Sequence, residues 1–153
     1  MAMHTWFECK IRYEKVMENG MQKKVTEPYL VDALSFTEAE ARIIEEMTPF
    51  ISGEFTVSDI KRANYSELFP SDEESADRWF KCKLIFITLD EKSGAEKKTS
   101  TQVLVQAADL RDAVKKLDEG MKGTMADYQI GMVSETPLMD VYPYSAGPND
   151  KPE

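Results

Sequence analysis

Few side chains in this sequence are spaced so that they could carry chemistry. The chain has one histidine, His4, so a histidine-based triad or a multi-histidine metal site is not available within a single chain. Cys9 and Cys82 could join His4 as metal ligands, but both alternate with polar residues and are expected to face a core. The chain has no P-loop and no dinucleotide fingerprint. We therefore predict no catalytic residue, no cofactor and no metal site, and we predict that the protein is not an enzyme.

Two tryptophans with basic neighbours form the candidate interaction face. Because Trp6 and Trp79 alternate with core-facing phenylalanines, their side chains are expected on the opposite face of a strand. The predicted face consists of Trp6, Lys10, Arg12, Trp79, Lys81 and Lys83. A basic strand face with an aromatic residue resembles a platform on which nucleic-acid bases stack. The alternatives are that two sheets or two protomers pack over the indoles, or that the indoles line a groove for a protein or a small molecule.

These residues recur because the chain contains two similar segments. The sequence Trp-Phe-Glu-Cys-Lys-Ile begins at residue 6, and Trp-Phe-Lys-Cys-Lys-Leu begins at residue 79. The match continues in the same order to Glu-Leu-Phe-Pro, which ends at residue 70, and to Asp-Val-Tyr-Pro, which ends at residue 143. Self-similarity of this extent indicates two copies of one structural unit.

Each copy predicts the element order ββαββ. Phe7, Cys9 and Ile11 alternate with charged residues as in a half-buried strand, and Asn19-Gly20 allows a chain reversal after it. Ser35-Phe36-Thr37-Glu38 is a capping box in front of an amphipathic helix. Two short strands are expected after each helix. We predict an α+β fold, a tandem duplication of a ββαββ unit whose antiparallel sheets each carry one helix on a face.

The predicted boundaries follow the repeat. The first unit is placed at residues 4–70, an acidic linker at 71–76, the second unit at 77–144 and a disordered tail at 145–153. Repeats of roughly 70 residues are near the size at which an isolated core is marginal, so we expect the two units to form one compact body.

Composition limits the location and the partners. The 153 residues carry a formal net charge of −9, which disfavours a phosphate backbone as partner. No apolar run is long enough to cross a bilayer, and the first residues lack the pattern of a secretory signal. Two cysteines are too few for a disulfide framework and are expected to stay reduced. We predict a cytoplasmic protein without a membrane partner.

Three stretches of the first half resemble a known family. They are Trp-Phe-Glu-Cys-Lys-Ile-Arg-Tyr-Glu-Lys from residue 6, Thr-Glu-Pro-Tyr-Leu-Val-Asp-Ala from residue 26 and Ser-Phe-Thr-Glu-Ala-Glu-Ala from residue 35. In this order they resemble uncharacterised single-domain proteins from Bacteroidetes, which are labelled a domain of unknown function. The resemblance covers essentially the whole chain. It implies a single-domain cytoplasmic protein and supplies no catalytic residue.

The function that we predict is that of a non-catalytic, acidic protein-interaction or assembly module. It would act through a sheet face or edge, with another protein or a second copy of itself as partner. The alternative is a nucleic-acid-associated protein that uses the strand face with tryptophan and lysine. An enzyme built on carboxylates and tyrosines has the least support.

Overall fold

A computed structural model describes residues 5–124 and 127–143 of the protein. Over these residues the element order is ββαββ followed by ββαββ, as predicted. The elements are β1 (Trp6–Val16), β2 (Gln22–Asp32), α1 (Phe36–Met47), β3 (Phe55–Ala63), β4 (Glu67–Phe69), β5 (Arg78–Leu89), β6 (Glu96–Ala107), α2 (Leu110–Gly120), β7 (Tyr128–Glu135) and β8 (Asp140–Tyr142). The fold is α+β, with two four-stranded sheets and one helix near each sheet. The predicted fold class is therefore confirmed.

Two compact units divide these elements. Among the described residues, unit 1 comprises 5–64 and 138–143, and unit 2 comprises 65–124 and 127–137. Sheet A of unit 1 has the strand order β3-β1-β2-β8, and sheet B of unit 2 has the order β7-β5-β6-β4. Three strands of each sheet are antiparallel neighbours. The fourth, β8 or β4, is short and runs parallel to its neighbour.

Each sheet takes this fourth strand from the other half of the sequence. β8 pairs with β2, so that Val141 lies opposite Leu30, and β4 pairs with β6, so that Leu68 lies opposite Leu104. Each unit thus includes one strand from beyond the boundaries that we predicted at 4–70 and 77–144. His4 and the tail 145–153 lie outside the described residues.

Strand direction explains why the exchange occurs. In sheet A the strand beside β2 runs parallel to β3, because β3 and β2 are both antiparallel to β1. Two parallel strands of one sheet need a crossover connection of about a dozen residues or more. Only residues 64–66 separate β3 from β4, and only residues 136–139 separate β7 from β8. Neither β4 nor β8 can therefore return to the sheet that contains the strand before it. β4 instead completes sheet B, and β8 completes sheet A.

The strand registers of the two units correspond closely. The register between β1 and β3 shifts after Lys10, and that between β5 and β7 shifts after Lys83, the equivalent residue of the second repeat. The extra residue of the bulge is Ser58 in β3 and Gly131 in β7. The topology is thus consistent with a duplicated ββαββ unit.

Each unit has a core between its helix and one face of its sheet. In unit 1 this core contains Phe7, Cys9, Ile11, Val31, Ala33, Ala39, Ile43 and Met47. The equivalent positions in unit 2 hold Phe80, Cys82, Leu84, Val105, Ala107, Ala113, Leu117 and Met121. The exchanged strands contribute aromatic rings to these cores, Tyr142 in unit 1 and Phe69 in unit 2. Gly120 at the end of α2 leaves room for Phe69, since a β-carbon there would lie 2.8 Å from its ring.

Both helices begin with a capping box, as predicted from Ser35 to Glu38 for the first. The Ser35 hydroxyl accepts a hydrogen bond from the Glu38 amide at 3.1 Å, and the Glu38 carboxylate accepts one from the amide of Leu34, the residue before the cap. In unit 2 the side chain of Asp109 accepts from the amide of Asp112 at 2.8 Å, and Asp112 reaches back in the same way. These bonds satisfy backbone donors that have no partner inside the helix.

The acidic linker is attached to unit 2 at a few points. Lys116 of α2 contacts the hydroxyl of Ser71 at 3.0 Å and the carboxylate of Glu73 at 3.1 Å. Ala76 is buried. The acidic residues Asp72, Glu73 and Glu74 are nevertheless exposed, so the linker is a solvated segment that Lys116 attaches to α2.

The strand exchange predicts that a substitution late in the chain destabilises the first sheet. Val141→Asp places a carboxylate in a buried position opposite Leu30 and should cost about 3 kcal/mol of unfolding free energy. Hydrogen exchange should show loss of protection for the amides of Tyr29 to Val31 in β2, with the amides of Val103 to Val105 in β6 retained. The opposite pattern would mean that β8 pairs within its own half of the sequence.

Candidate interaction face

The structure places the six predicted residues on the sheet faces that point away from the helices. We call these surfaces the Trp faces of sheets A and B. Trp6, Lys10 and Arg12 lie on the Trp face of sheet A, because they alternate along β1 with core residues such as Cys9. Trp79, Lys81 and Lys83 lie in the same way on the Trp face of sheet B.

Both indoles are buried. Trp6 is 8% exposed and Trp79 is 5% exposed. Leu30 and Leu104, which lie on the same faces in the neighbouring strands, are fully buried. Stacking of a base requires an open ring face, which these buried indoles do not offer. Their burial favours the other interpretation, in which packing covers them.

The basic residues become more exposed with distance from the tryptophans. Lys10 and Lys81 are half-buried, whereas Arg12 and Lys83 are exposed. Acidic residues interrupt the face in sheet A, where Glu8 forms a 3.9 Å ion pair with Lys61 of β3. The Trp face of sheet A therefore carries both positive and negative charges.

Sequence reasoning missed the outer half of the Trp face of sheet B. Ile85, Ile87 and Leu89 follow Lys83 on this face, and Met132 lies opposite Lys83 in β7. We call these four residues the apolar strip of sheet B. Leu89 is 69% exposed and Met132 is 40% exposed, while Ile85 and Ile87 are half-buried. The signal was the run Leu-Ile-Phe-Ile from residue 84, which is apolar on both faces of the strand.

On the opposite, core-facing side of sheet A, unit 1 carries polar side chains near the end of its hairpin. The Tyr13 hydroxyl donates to Glu27 at 2.8 Å and the Tyr29 hydroxyl donates to the same oxygen at 3.3 Å. Lys15 pairs with the other oxygen at 3.7 Å. Tyr142 of the exchanged strand stacks on Tyr29 with a centroid distance of 6.1 Å. In this cluster the two phenols donate hydrogen bonds to the side chain of Glu27. Both phenols stay protonated at neutral pH.

Burial keeps the protons of several phenol and thiol groups in place in both units. Burial is the main cause that raises the pKa of Tyr13 to about 12, and its hydrogen bond to Glu27 adds to the effect. Burial likewise raises the pKa of Tyr142 to about 12 and of the Cys9 thiol to about 12. It raises the pKa of Cys82 to about 11.

Both thiols are free and fully buried, as predicted. A thiol with so high a pKa is almost entirely protonated at neutral pH, which makes it a poor nucleophile and a poor metal ligand. Among the described residues, no three histidine, cysteine or carboxylate side chains are grouped so that they could hold a metal ion. Within the same residues no helix is long and apolar enough to span a membrane.

The burial of the indoles predicts a loss of stability when either is removed. Trp6→Ala and Trp79→Ala should each lower the unfolding free energy by about 3 kcal/mol or more, the usual cost of removing a large buried aromatic. Arg12→Ala, an exposed substitution on the same strand as Trp6, should change it by less than about 0.5 kcal/mol. Chemical denaturation followed by circular dichroism measures the three variants. Wild-type midpoints in both tryptophan variants would contradict the packing role.

The raised pKa values predict that stability falls at alkaline pH. An unfolded tyrosine loses its proton near the ordinary pKa of 10.0, whereas folded Tyr13 keeps its proton to about 12. Deprotonation therefore favours the unfolded state as the pH rises from 10 to 12, and this contribution to stability is fully present below pH 10. Urea unfolding at several pH values should show the decline, and Tyr13→Phe combined with Tyr29→Phe should make it shallower. If the unfolding free energy declines equally with pH in the wild type and in the double variant, these phenols do not cause the decline.

The model of a family described as a domain of unknown function, DUF4494, matches residues 5–144. No curated protein matches the chain. The match includes all ten strands and helices described above. It agrees with the resemblance to an uncharacterised single-domain family. Because the match extends over nearly the entire sequence, the chain belongs to the DUF4494 family of domains of unknown function.

Proposed function

We propose that this protein is a non-catalytic protein-interaction module that assembles through the apolar strip of sheet B, with a second copy of the chain as partner. The observation that supports this most directly is the exposure of Leu89 and Met132 beside Ile85 and Ile87 on one sheet face. Contiguous apolar surface of this kind is typical of interaction sites. The free, buried thiols and the resemblance to Bacteroidetes proteins support a bacterial cytoplasm as the place of action.

Comparison of the two units indicates that the fold does not require this strip. We infer that the units arose by duplication, so that equivalent positions share a backbone environment. The positions of Ile85, Ile87, Leu89 and Met132 correspond in unit 1 to Arg12, Glu14, Val16 and Asp59. Three of the four are charged. The apolar residues of sheet B are thus a feature of one unit, and a partner surface accounts for them.

The charges around the strip favour a second copy in antiparallel orientation. Lys83 lies at one end of the strip, and Glu96 lies opposite Leu89 at the other end, about 20 Å away along the strand. A twofold axis through the middle of the strip brings Lys83 of each copy toward Glu96 of the other. Such an isologous interface is self-complementary and closed, as in most soluble homodimers.

The proposal predicts that charge in the strip disrupts self-association. Leu89→Lys combined with Met132→Lys should weaken the dimer by at least about tenfold in Kd, measured by sedimentation equilibrium. Val16→Lys is the matched control, because Val16 occupies the equivalent hairpin position in unit 1 and is 65% exposed. It should associate like the wild type.

Two results would contradict the proposal. A wild-type protein that stays monomeric at about 100 μM has no interface of useful strength, and a second copy would then not be the partner. Equal weakening by Val16→Lys and by the strip variant would place the interface elsewhere. Circular dichroism of each variant shows whether its fold is retained.

A further inference from the structure

A polar cleft lies in unit 1 where β1 extends beyond its neighbour. β1 continues to Val16, but its pairing with β3 ends where Tyr13 faces Phe55. In the part of the chain that the structure describes, Glu14 to Val16 therefore have a strand partner on one side only. The loop 52–54 approaches this open edge as it enters β3 and closes a cleft of about 640 Å³. We call it the corner cleft. Its volume lies in the range of ligand-binding pockets, roughly 300–1,000 Å³.

The corner cleft carries charges of both signs. Arg12 and Lys24 line it together with Glu14 and Glu54. None of the four forms an ion pair within 4.0 Å with another described residue, although Glu14 and Lys24 are direct cross-strand neighbours. Opposite charges in such neighbouring positions commonly pair. Here they stay available to a ligand.

The walls between these charges offer hydrogen bonds and a small apolar surface. Gln22, Ser52 and Thr56 provide polar side chains, and Val16 and Phe55 provide apolar contact. The two carboxylates disfavour a free anion or a nucleic acid, and the two cations disfavour a free cation. A ligand that carries both positive and negative charges, together with main-chain hydrogen-bonding groups, matches every part of the lining.

We propose that the corner cleft binds a short extended peptide segment of a partner protein, which adds to the open edge of β1 at Glu14–Val16. The peptide main chain would pair with β1 in the direction of β3, as in other complexes formed by strand addition. Acidic and basic side chains of the peptide would then meet Arg12 and Lys24 on the one hand and Glu14 and Glu54 on the other. This site is separate from the apolar strip and does not depend on the homodimer.

The equivalent residues of unit 2 support a specific role for these charges. Arg12 and Glu14 correspond to Ile85 and Ile87, which show that the same backbone positions accept uncharged side chains. The charged corner of unit 1 is therefore not a requirement of the fold.

A substitution that fills the cleft tests the proposal without straining the backbone. A β-carbon at Gly53 meets no atom within 4 Å, and this glycine does not have a positive φ. Gly53→Trp should therefore fold and occupy the corner cleft. Ala41→Trp, at an exposed position on α1, adds the same ring elsewhere in unit 1 and is the control.

The probe is a phage-displayed library of short random-sequence peptides, selected on the wild-type protein. Selected peptides should carry residues of both charges, and their affinity should fall at least about tenfold for Gly53→Trp and remain unchanged for Ala41→Trp. Arg12→Glu combined with Lys24→Glu should weaken the same peptides to a similar degree. Amide hydrogen exchange should show new protection at Glu14 to Val16 when peptide is bound.

Each contrary result overturns a stated part of the proposal. Failure to enrich any peptide on the wild type relative to Gly53→Trp would mean that the cleft is not a peptide site. Enriched peptides that bind Gly53→Trp equally well would place binding elsewhere, for example on the apolar strip, where Leu89→Lys would abolish it. Binding in the cleft without protection of Glu14 to Val16 would exclude strand addition. The oligomeric state of the wild type decides the homodimer separately, so either proposal can fail alone.

Discussion

The structure depends on one constraint, the direction of the strand that completes each sheet. In sheet A the strand beside β2 runs parallel to β3, which lies at the other edge of the sheet. In sheet B the strand beside β6 runs parallel to β7 in the same way. Links of a few residues cannot carry the chain back along a sheet, so β4 and β8 complete the sheet of the other unit. β2 and β6 become interior strands as a result, with Leu30 and Leu104 fully buried. Neither half of the sequence contains all the strands of one unit, which ties the stability of each sheet to residues far away in the chain.

The correspondence of the two units separates what the fold requires from what it merely permits. Positions that face the helices keep their character in both units, as the buried pairs Cys9 with Cys82 and Ile43 with Leu117 show. Positions near the hairpin ends do not. Where unit 1 has the Tyr13, Glu27 and Tyr29 cluster, unit 2 has the less polar Phe86, Thr101 and Val103, and the Trp face diverges in the same sense, from charged in unit 1 to apolar in unit 2. Two copies of one backbone thus present a polar cleft on one unit and an apolar strip on the other, and both proposals concern these divergent ends.

The titratable groups of the cores have little influence near neutral pH. Burial raises the pKa values of both thiols and of Tyr13 and Tyr142, so these groups stay uncharged there. The net charge of −9 opposes close approach of two copies of the chain. An interface between copies therefore needs apolar contact and local pairing of opposite charges, which the apolar strip with Lys83 and Glu96 offers.

The amino-acid sequence by itself determined the elements, because period-two alternation, the Ser35 and Asp109 caps and the helical spacing of Ile43 and Leu117 are local properties of consecutive residues. It also determined that Cys9 and Cys82 are buried, since they alternate with charged residues. It identified Trp6 and Trp79 as equivalent positions of the two repeats but did not decide whether their indoles are exposed. Tertiary structure alone decided which half supplies the fourth strand, that the indoles are buried, that the corner cleft exists and that the side chains of the apolar strip are left partly exposed. These features depend on strand direction, link length and the covering of one face by residues distant in sequence, and none of these is encoded in a local pattern.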